Sequence, residues 1–136
     1  MAAKTFDPKG GLAARIRGRN GIAFSPDSTM LATFEEDDLV RFWHPETNQV
    51  GGPPLDHGGR VWSLAFRPDG LLVATGGDNG TVKLWEFGSR RLVGELRAAA
   101  TPIWFVCFSP DGTHIAAAGL GGTVPIWKAV PSRSQS

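Results

Sequence analysis

The sequence predicts an all-β chain made of three four-stranded antiparallel sheets, and three observations point there. The triplet Phe-x-Pro-Asp recurs at Phe24-Pro26-Asp27, Phe66-Pro68-Asp69 and Phe108-Pro110-Asp111, each time 42 residues on. Trp43, Trp85 and Trp127 keep that interval, as do Ala32, Ala74 and Ala116, and Val40, Val82 and Val124. Four sets of positions locked to one period identify a repeat. Within each unit, short runs of β-branched and aromatic residues lie between Gly, Pro, Asn and Asp punctuation, the pattern of strands and turns. Finally, 18 Gly and 10 Pro in 136 residues leave little sequence for long helices, while 41% hydrophobic content is too high for a disordered chain.

In chain order, residues 1–11 form a lead-in and 12–128 form the repeats, with sequence units of about 12–43, 44–85 and 86–127. Residues 12–16 read as an outer strand, and Phe6-Asp7-Pro8 before them mimics the residues at and after a closing Trp. The second unit is the clearest. Residues 61–66 make one run, Pro68-Asp69-Gly70 turns it, and 71–75 make the next; Gly76-Gly77-Asp78-Asn79-Gly80 turns again before 81–85, and a fourth run covers 91–96. Pro presets φ at the first corner of its turn, Asp bonds its own backbone and Gly accepts positive φ. In the run Thr81-Val82-Lys83-Leu84-Trp85, both alternating faces carry apolar surface, as expected of a sheet stacked between neighbours. In the third unit Pro125 stands where the others have Arg41 and Lys83, which removes one ladder bond from an inner strand. The tail 129–136 is expected to be disordered, because 131–136 have no composition with which to bury surface.

These units resemble the WD-repeat β-propeller family, whose repeats of roughly 40 to 45 residues each supply a four-stranded blade. The best-fitting stretch runs from Asp56-His57 through the Phe66-Pro68-Asp69-Gly70 turn and the Asp78-Asn79-Gly80 hairpin to Trp85. The departures are specific: His44, Glu86 and Lys128 follow the three tryptophans where the family has Asp, and only Asp56-His57 survives of the Gly-His pair, with Ala99 at the matching place in the third unit. The resemblance implies a buried network of His, turn Asp, Ser and Trp in each blade. Here the turn position reads Asp37, Asn79 and Gly121, so His57 with Asn79 and Trp85 is expected to make a partial network.

Propellers close with about four to eight blades, and three repeats do not close one. Strands in the family are offset so that the N-terminal strand completes the last blade; here 12–16 would complete the last blade of another copy, an arrangement of twelve strands per chain. The expectation is an incomplete propeller closed by head-to-tail self-association, with a dimer favoured over a trimer. The competing readings are a remnant or excerpt of a longer propeller and an isolated monomer.

Charge and chemistry narrow the function. Fourteen basic against thirteen acidic residues give a net charge of +1, no field for steering nucleic acid, and Arg15-Ile16-Arg17-Gly18-Arg19-Asn20 lacks the aromatic neighbours of a single-strand platform. Nucleic acid and membrane partners are not expected. With one cysteine there is no intramolecular disulfide, and with no leader or membrane-length apolar run in view the cytoplasm is the default location. His44, His57 and His114 show no metal-ligand spacing, and no catalytic constellation stands out, so neither enzyme activity, metal nor cofactor is expected. Cys107 lies in the apolar run 103–108 and is expected to be buried and inert. Glu35-Glu36-Asp37-Asp38 reads as a solvated hairpin turn, and Gly51-Gly52 and 119–122 as turns without a phosphate-loop ending.

The remaining candidates are for binding. Trp62 and Trp104 stand one period apart at the start of the innermost strands, where the resemblance implies the rim of the partner-binding upper face. Their phase with Leu64 and Phe66, and with Val106 and Phe108, instead suggests burial, and the two readings are equally weighted. Arg60, Trp62, Asp78, Glu36 and Trp104 form the candidate contact surface. His57, Asn79, Asp37, Trp43, Trp85, Trp127, Asp27, Asp69 and Asp111 are the structural repeat residues. The expected function is a non-enzymatic scaffold binding a protein or peptide. The alternatives are a purely structural self-associating fragment and an oligomeric propeller that takes a small molecule or carbohydrate.

Overall fold

A computed structural model describes residues 21–34, 37–98, 102–119 and 124–128. Among these every regular element is a strand: β1 (Gly21–Phe24), β2 (Leu31–Phe34), β3 (Leu39–His44), β4 (Gln49–Val50), β5 (Leu55–Asp56), β6 (Val61–Phe66), β7 (Leu72–Gly77), β8 (Thr81–Glu86), β9 (Arg91–Arg97), β10 (Ile103–Phe108), β11 (His114–Gly119) and β12 (Ile126–Lys128). They form three antiparallel sheets in sequential order, each built on three strands of one repeat, with the outer strand of the first two sheets coming from the start of the next repeat. The second is the complete four-stranded blade β6-β7-β8-β9. In the first, the outer strand is broken into β4 and β5, which pair with the two ends of β3 on either side of Gly51-Gly52-Pro53-Pro54. The third has three strands among the described residues. The expected outer strand at 12–16, the tail, Glu36, Ala99 and Gly121 lie outside the described residues.

Proline accounts for the shortness of β12. Pro125 has no N–H to give, and its carbonyl accepts Ala117 N at 3.2 Å before the ladder resumes at Ile126. The corresponding strand of the second blade starts at Thr81 and pairs with both neighbours.

Side-chain alternation turns each blade into a two-sided apolar slab. Ala32, Phe34, Val40, Phe42 and Leu55 of the first blade pack against Val61, Leu64, Phe66, Val73, Trp85 and Phe87 of the second. The other face of the second blade, Ala65, Ala74, Val82 and Leu84, packs against Ile103, Val106, Phe108, Ile115, Ala117 and Trp127 of the third. These two junctions hold most of the buried hydrophobic residues described, with Leu31, Trp43 and Leu72 buried outside them, and the second blade is covered on both faces. Arg90 ties the first junction from its rim. Its guanidinium stacks 4.3 Å from the Phe42 ring centroid and 4.5 Å from that of Phe87, and donates to the carbonyls of Gly51, Pro53 and Phe87. It spans the break between β4 and β5, which explains how that interrupted outer strand is held.

The Pro-Asp turns behave as their chemistry requires. Asp27 Oδ1 accepts from Ser25 Oγ, Thr29 N and Thr29 Oγ1, and Asp111 makes the same three bonds with Ser109 and Thr113. The Ser109 hydroxyl, followed by the Thr113 amide and hydroxyl, pulls the Asp111 carboxyl down to about 2. Asp69 instead pairs with Arg67 at 2.8 Å. The next residue takes positive φ in all three turns, 77° at Gly70 and Gly112 and 67° at Ser28. Only Ser28 bears a Cβ there, and it carries the strain.

The blade network departs from the expectation. Asn79 does not take part; its Oδ1 accepts Thr81 N at 3.3 Å. Thr75 is the hub instead, accepting Trp85 Nε1–H at 3.0 Å and meeting His57 Nδ1 at 2.8 Å, all three side chains buried. Trp43 repeats the bond to Thr33 at 3.0 Å, whereas the third blade has Ala117 in that place and no hydroxyl to offer Trp127. The His57 carbonyl accepts Lys83 Nζ at 2.7 Å. Burial, with the Lys83 charge adding to it, lowers the His57 pKa from 6.5 to about 4, so the imidazole is neutral in the fold.

Three outcomes follow from these contacts. Thr75→Val keeps the volume but strands two buried nitrogens, and costs about 2–4 kcal/mol in urea denaturation. Ser28→Gly relieves the left-handed backbone and, after glycine's entropic penalty, stabilises by about 0.5–1 kcal/mol in the same assay. Because the unfolded His57 takes up a proton at a pH where the folded one resists it, its contribution is complete above pH 6.5 and is lost as the pH falls toward 4. The melting temperature of His57→Asn should therefore vary less over that window than that of the wild type.

Candidate functional site

The inner strands β6 and β10 lie side by side, and each carries a bulge at its first turn of ladder. Val61 pairs with Gly77 and Ser63 with Gly76, leaving Trp62 as the extra residue; Ile103 pairs with Gly119 and Phe105 with Ala118, leaving Trp104. A bulge re-aims the side chain it displaces and sharpens the local twist. The two indoles therefore leave the alternation of their strands and meet each other, with ring centroids 6.4 Å apart and planes at 47°. The close approach of the blades at this point needs Gly76, since a Cβ there would lie 2.7 Å from Ile103 Cγ2.

The turn between β7 and β8 supplies the acid. Asp78 Oδ1 accepts the Trp62 indole N–H, and Asp78 N donates to the Arg60 carbonyl at 3.1 Å. Arg60 and Asp78 are exposed, and Trp104 is 39% exposed. Four of the five candidate contact residues, Arg60, Trp62, Asp78 and Trp104, thus form one cluster at the end of the inner strands; Glu36 lies outside the described residues. The phase argument for burial fails because the bulges break the alternation on which it rests. The sequence does hold a sign of this. The core residues Val61 and Leu64, and Ile103 and Val106, are three apart, a spacing that an unbroken strand cannot place on one face.

Elsewhere the chemistry is structural. Cys107 is exposed, contrary to the expected burial, because it lies on the face of the third blade against which no further blade packs among the described residues. Asp37 does what a turn residue does, accepting Leu39 N at 3.2 Å and pairing with Arg41 at 2.8 Å. A cleft of about 370 Å³ lies at the opposite end of the blades, between the two turns carrying Asp27 and Asp69 and closed by Leu71 and Phe87. Both carboxylates are already engaged in their turns, Asp27 by hydroxyls and an amide and Asp69 by Arg67. Among the described residues no group of three or more His, Cys, Asp or Glu side chains is placed to hold a metal ion, and no helix is long and apolar enough to cross a membrane. Arg90 and the Thr33 and Thr75 acceptors escaped the sequence reading, since the first works through tertiary contacts alone and the others look like ordinary strand residues.

A family model described as the WD domain, G-beta repeat, matches residues 15–44, 54–86 and 90–128. No curated protein matches the chain. Proteins of this repeat type are in general interaction scaffolds and generally non-enzymatic. Three matched segments that fill most of the sequence, each holding the first three strands of one observed blade, make this chain a member of the WD-repeat family.

Proposed function

We propose that the chain is a non-enzymatic scaffold that holds a protein or peptide partner on the face where Arg60, Trp62, Asp78 and Trp104 meet. The pairing of two bulged tryptophans across adjacent inner strands carries this reading. A regular strand would have turned each indole up or down between blades, where it could serve packing alone. Bulges at equivalent positions in two repeats bring them together at the blade ends instead, beside an exposed acid and an exposed base. Tryptophan and arginine are the side chains most enriched among binding hot spots, since they combine large contact area with a polar handle. The Asp78 carboxylate orients the Trp62 ring before any partner arrives, which lowers the ordering cost of binding.

The test is to pan a displayed random-peptide library on the wild-type chain and measure the selected peptides against Arg60→Ala, Trp62→Ala and Trp104→Ala by calorimetry. Trp104→Ala is expected to weaken binding by about 10- to 100-fold while circular dichroism and thermal unfolding stay unchanged. Peptides that bind all three variants as tightly as the wild type would exclude this face. Unfolding of the Trp62 and Trp104 variants would assign both indoles to packing.

A further inference from the structure

The two blade junctions can be compared position by position at the end that carries the Pro-Asp turns, and they differ in what fills them. Ser25, Arg67 and Ser109 are one period apart. Arg67 is only 5% exposed, and its stem lies against the third turn, where a Cβ on Gly112 would fall 3.3 Å from Arg67 Cγ and 3.4 Å from Cδ. Its head forks onto Asp69, with Nε donating to Oδ1 at 2.9 Å and Nη2 reaching Oδ2 at 2.8 Å. A buried guanidinium therefore fills the space between the second and third turns.

One junction earlier the same space is open. Gly70 stands in the place of Gly112 with the same φ of 77°, and a Cβ there would meet Pro26 Cδ at 3.8 Å, just as one on Gly112 would meet Pro68 Cδ at 3.8 Å. Among the described residues no other side chain of the first turn comes within 4 Å of that point. Ser25 is too short to follow the path of Arg67, and its hydroxyl turns back to donate to Asp27 Oδ1 at 2.8 Å. What remains is the cleft of about 370 Å³ between Asp27 and Asp69, with Leu71 and Phe87 as its apolar wall. The Asp69 charge is shared with Arg67, whereas Asp27 is exposed and its Oδ1 takes only the neutral donors of Ser25 and Thr29. The Thr29 hydroxyl and amide, and then the Ser25 hydroxyl, hold this carboxyl below its ordinary pKa, so it is charged at neutral pH. Among the described residues no donor bonds Asp27 Oδ2, the counterpart of the Asp69 oxygen that takes Arg67 Nη2.

We propose that this cleft binds an arginine side chain of a partner protein, with the guanidinium on Asp27 Oδ2 and the stem along Leu71 and Phe87. The chain supplies the occupant of the second cleft itself, through Arg67, and leaves the first for an arginine from outside. Charge favours any cation here, but a guanidinium is planar, more weakly hydrated than an ammonium and able to stack on an aromatic wall, which selects arginine over lysine. The cleft lies at the opposite end of the blades from Trp62 and Trp104, so this site and the peptide face proposed above stand or fall separately.

The test is a 1H–15N NMR titration of the wild-type chain with an end-blocked glycine-arginine-glycine tripeptide. Saturable shifts are expected at the amides of Asp27, Gly70 and Leu71. The matching lysine tripeptide is expected to bind at least about threefold more weakly. Asp27→Asn keeps an oxygen for the three turn bonds but loses the charge, and is expected to weaken the arginine tripeptide at least about tenfold. Ser25→Arg places the arginine of the second repeat in the first turn and is expected to abolish binding by filling the cleft. Should circular dichroism show either variant unfolded, the other variant and the wild-type titration decide. Absence of shifts at those three amides, unchanged affinity in a folded Asp27→Asn or Ser25→Arg, or equal binding of the lysine tripeptide would overturn the site. Free arginine binding tenfold more tightly than the blocked tripeptide would overturn its assignment to a partner protein.

Discussion

Burial of apolar surface between blades is the interaction on which everything else in this chain depends. A single four-stranded sheet of this composition has two greasy faces and no way to cover either from its own residues. The second blade shows the solution, with Val73 and Trp85 committed to one neighbour and Ala74 and Val82 to the other, all of them buried. At roughly 25 cal/mol per Å² of apolar surface removed from water, such junctions outweigh any single polar contact in the molecule. The 42-residue period is the sequence form of that constraint, since each repeat must present the same pair of faces in the same register.

Polar groups caught inside the junctions are handled locally. The indole N–H of Trp85 and the Nδ1 of His57 share the Thr75 hydroxyl, and Trp43 uses Thr33 in the same way. Where the repeat loses the hydroxyl, at Ala117, the neighbouring strand β12 is also cut to three residues against six in β3 and β8, with Pro125 at its start. The third repeat thus keeps the apolar pattern while dropping the polar reinforcement. That is consistent with packing being the requirement and the network an addition to it. Arg90 is the converse, a charged side chain recruited to close a junction. Its left-handed backbone, at φ 64°, falls one period after Asn48 at 62°, so the repeat sets the conformation and the guanidinium contacts hold an arginine in it.

The candidate contact face arises where the sheet rules are broken. Two bulges at equivalent positions take Trp62 and Trp104 out of the alternation of their strands, and the tight turn at Asp78 meets Trp62. Irregularity in one repeat would be a local accident. The same irregularity in two adjacent repeats builds a surface, because the inner strands that carry it are neighbours.

Much of the fold was legible in the sequence because a repeat declares itself at long range without any knowledge of contacts. The period, the turns at Asp27, Asp69 and Asp111, the strand at Val61–Phe66 and the weak point at Pro125 all follow from residue chemistry within a few positions. Local pattern could not say whether Trp62 lies between blades or at their ends, since a bulge changes the phase of a strand without changing its composition. Nor could it assign Cys107 to an exposed face: an apolar run is buried only if something packs on it, and that is a property of the stack. The hub role of Thr75 and the clamp formed by Arg90 likewise depend on atoms brought together from different strands. The sequence by itself determined which faces must be covered, because hydrophobicity and period belong to the chain. Only the tertiary structure decided which faces are covered and where the indoles point, because neighbour and phase exist once the blades are stacked.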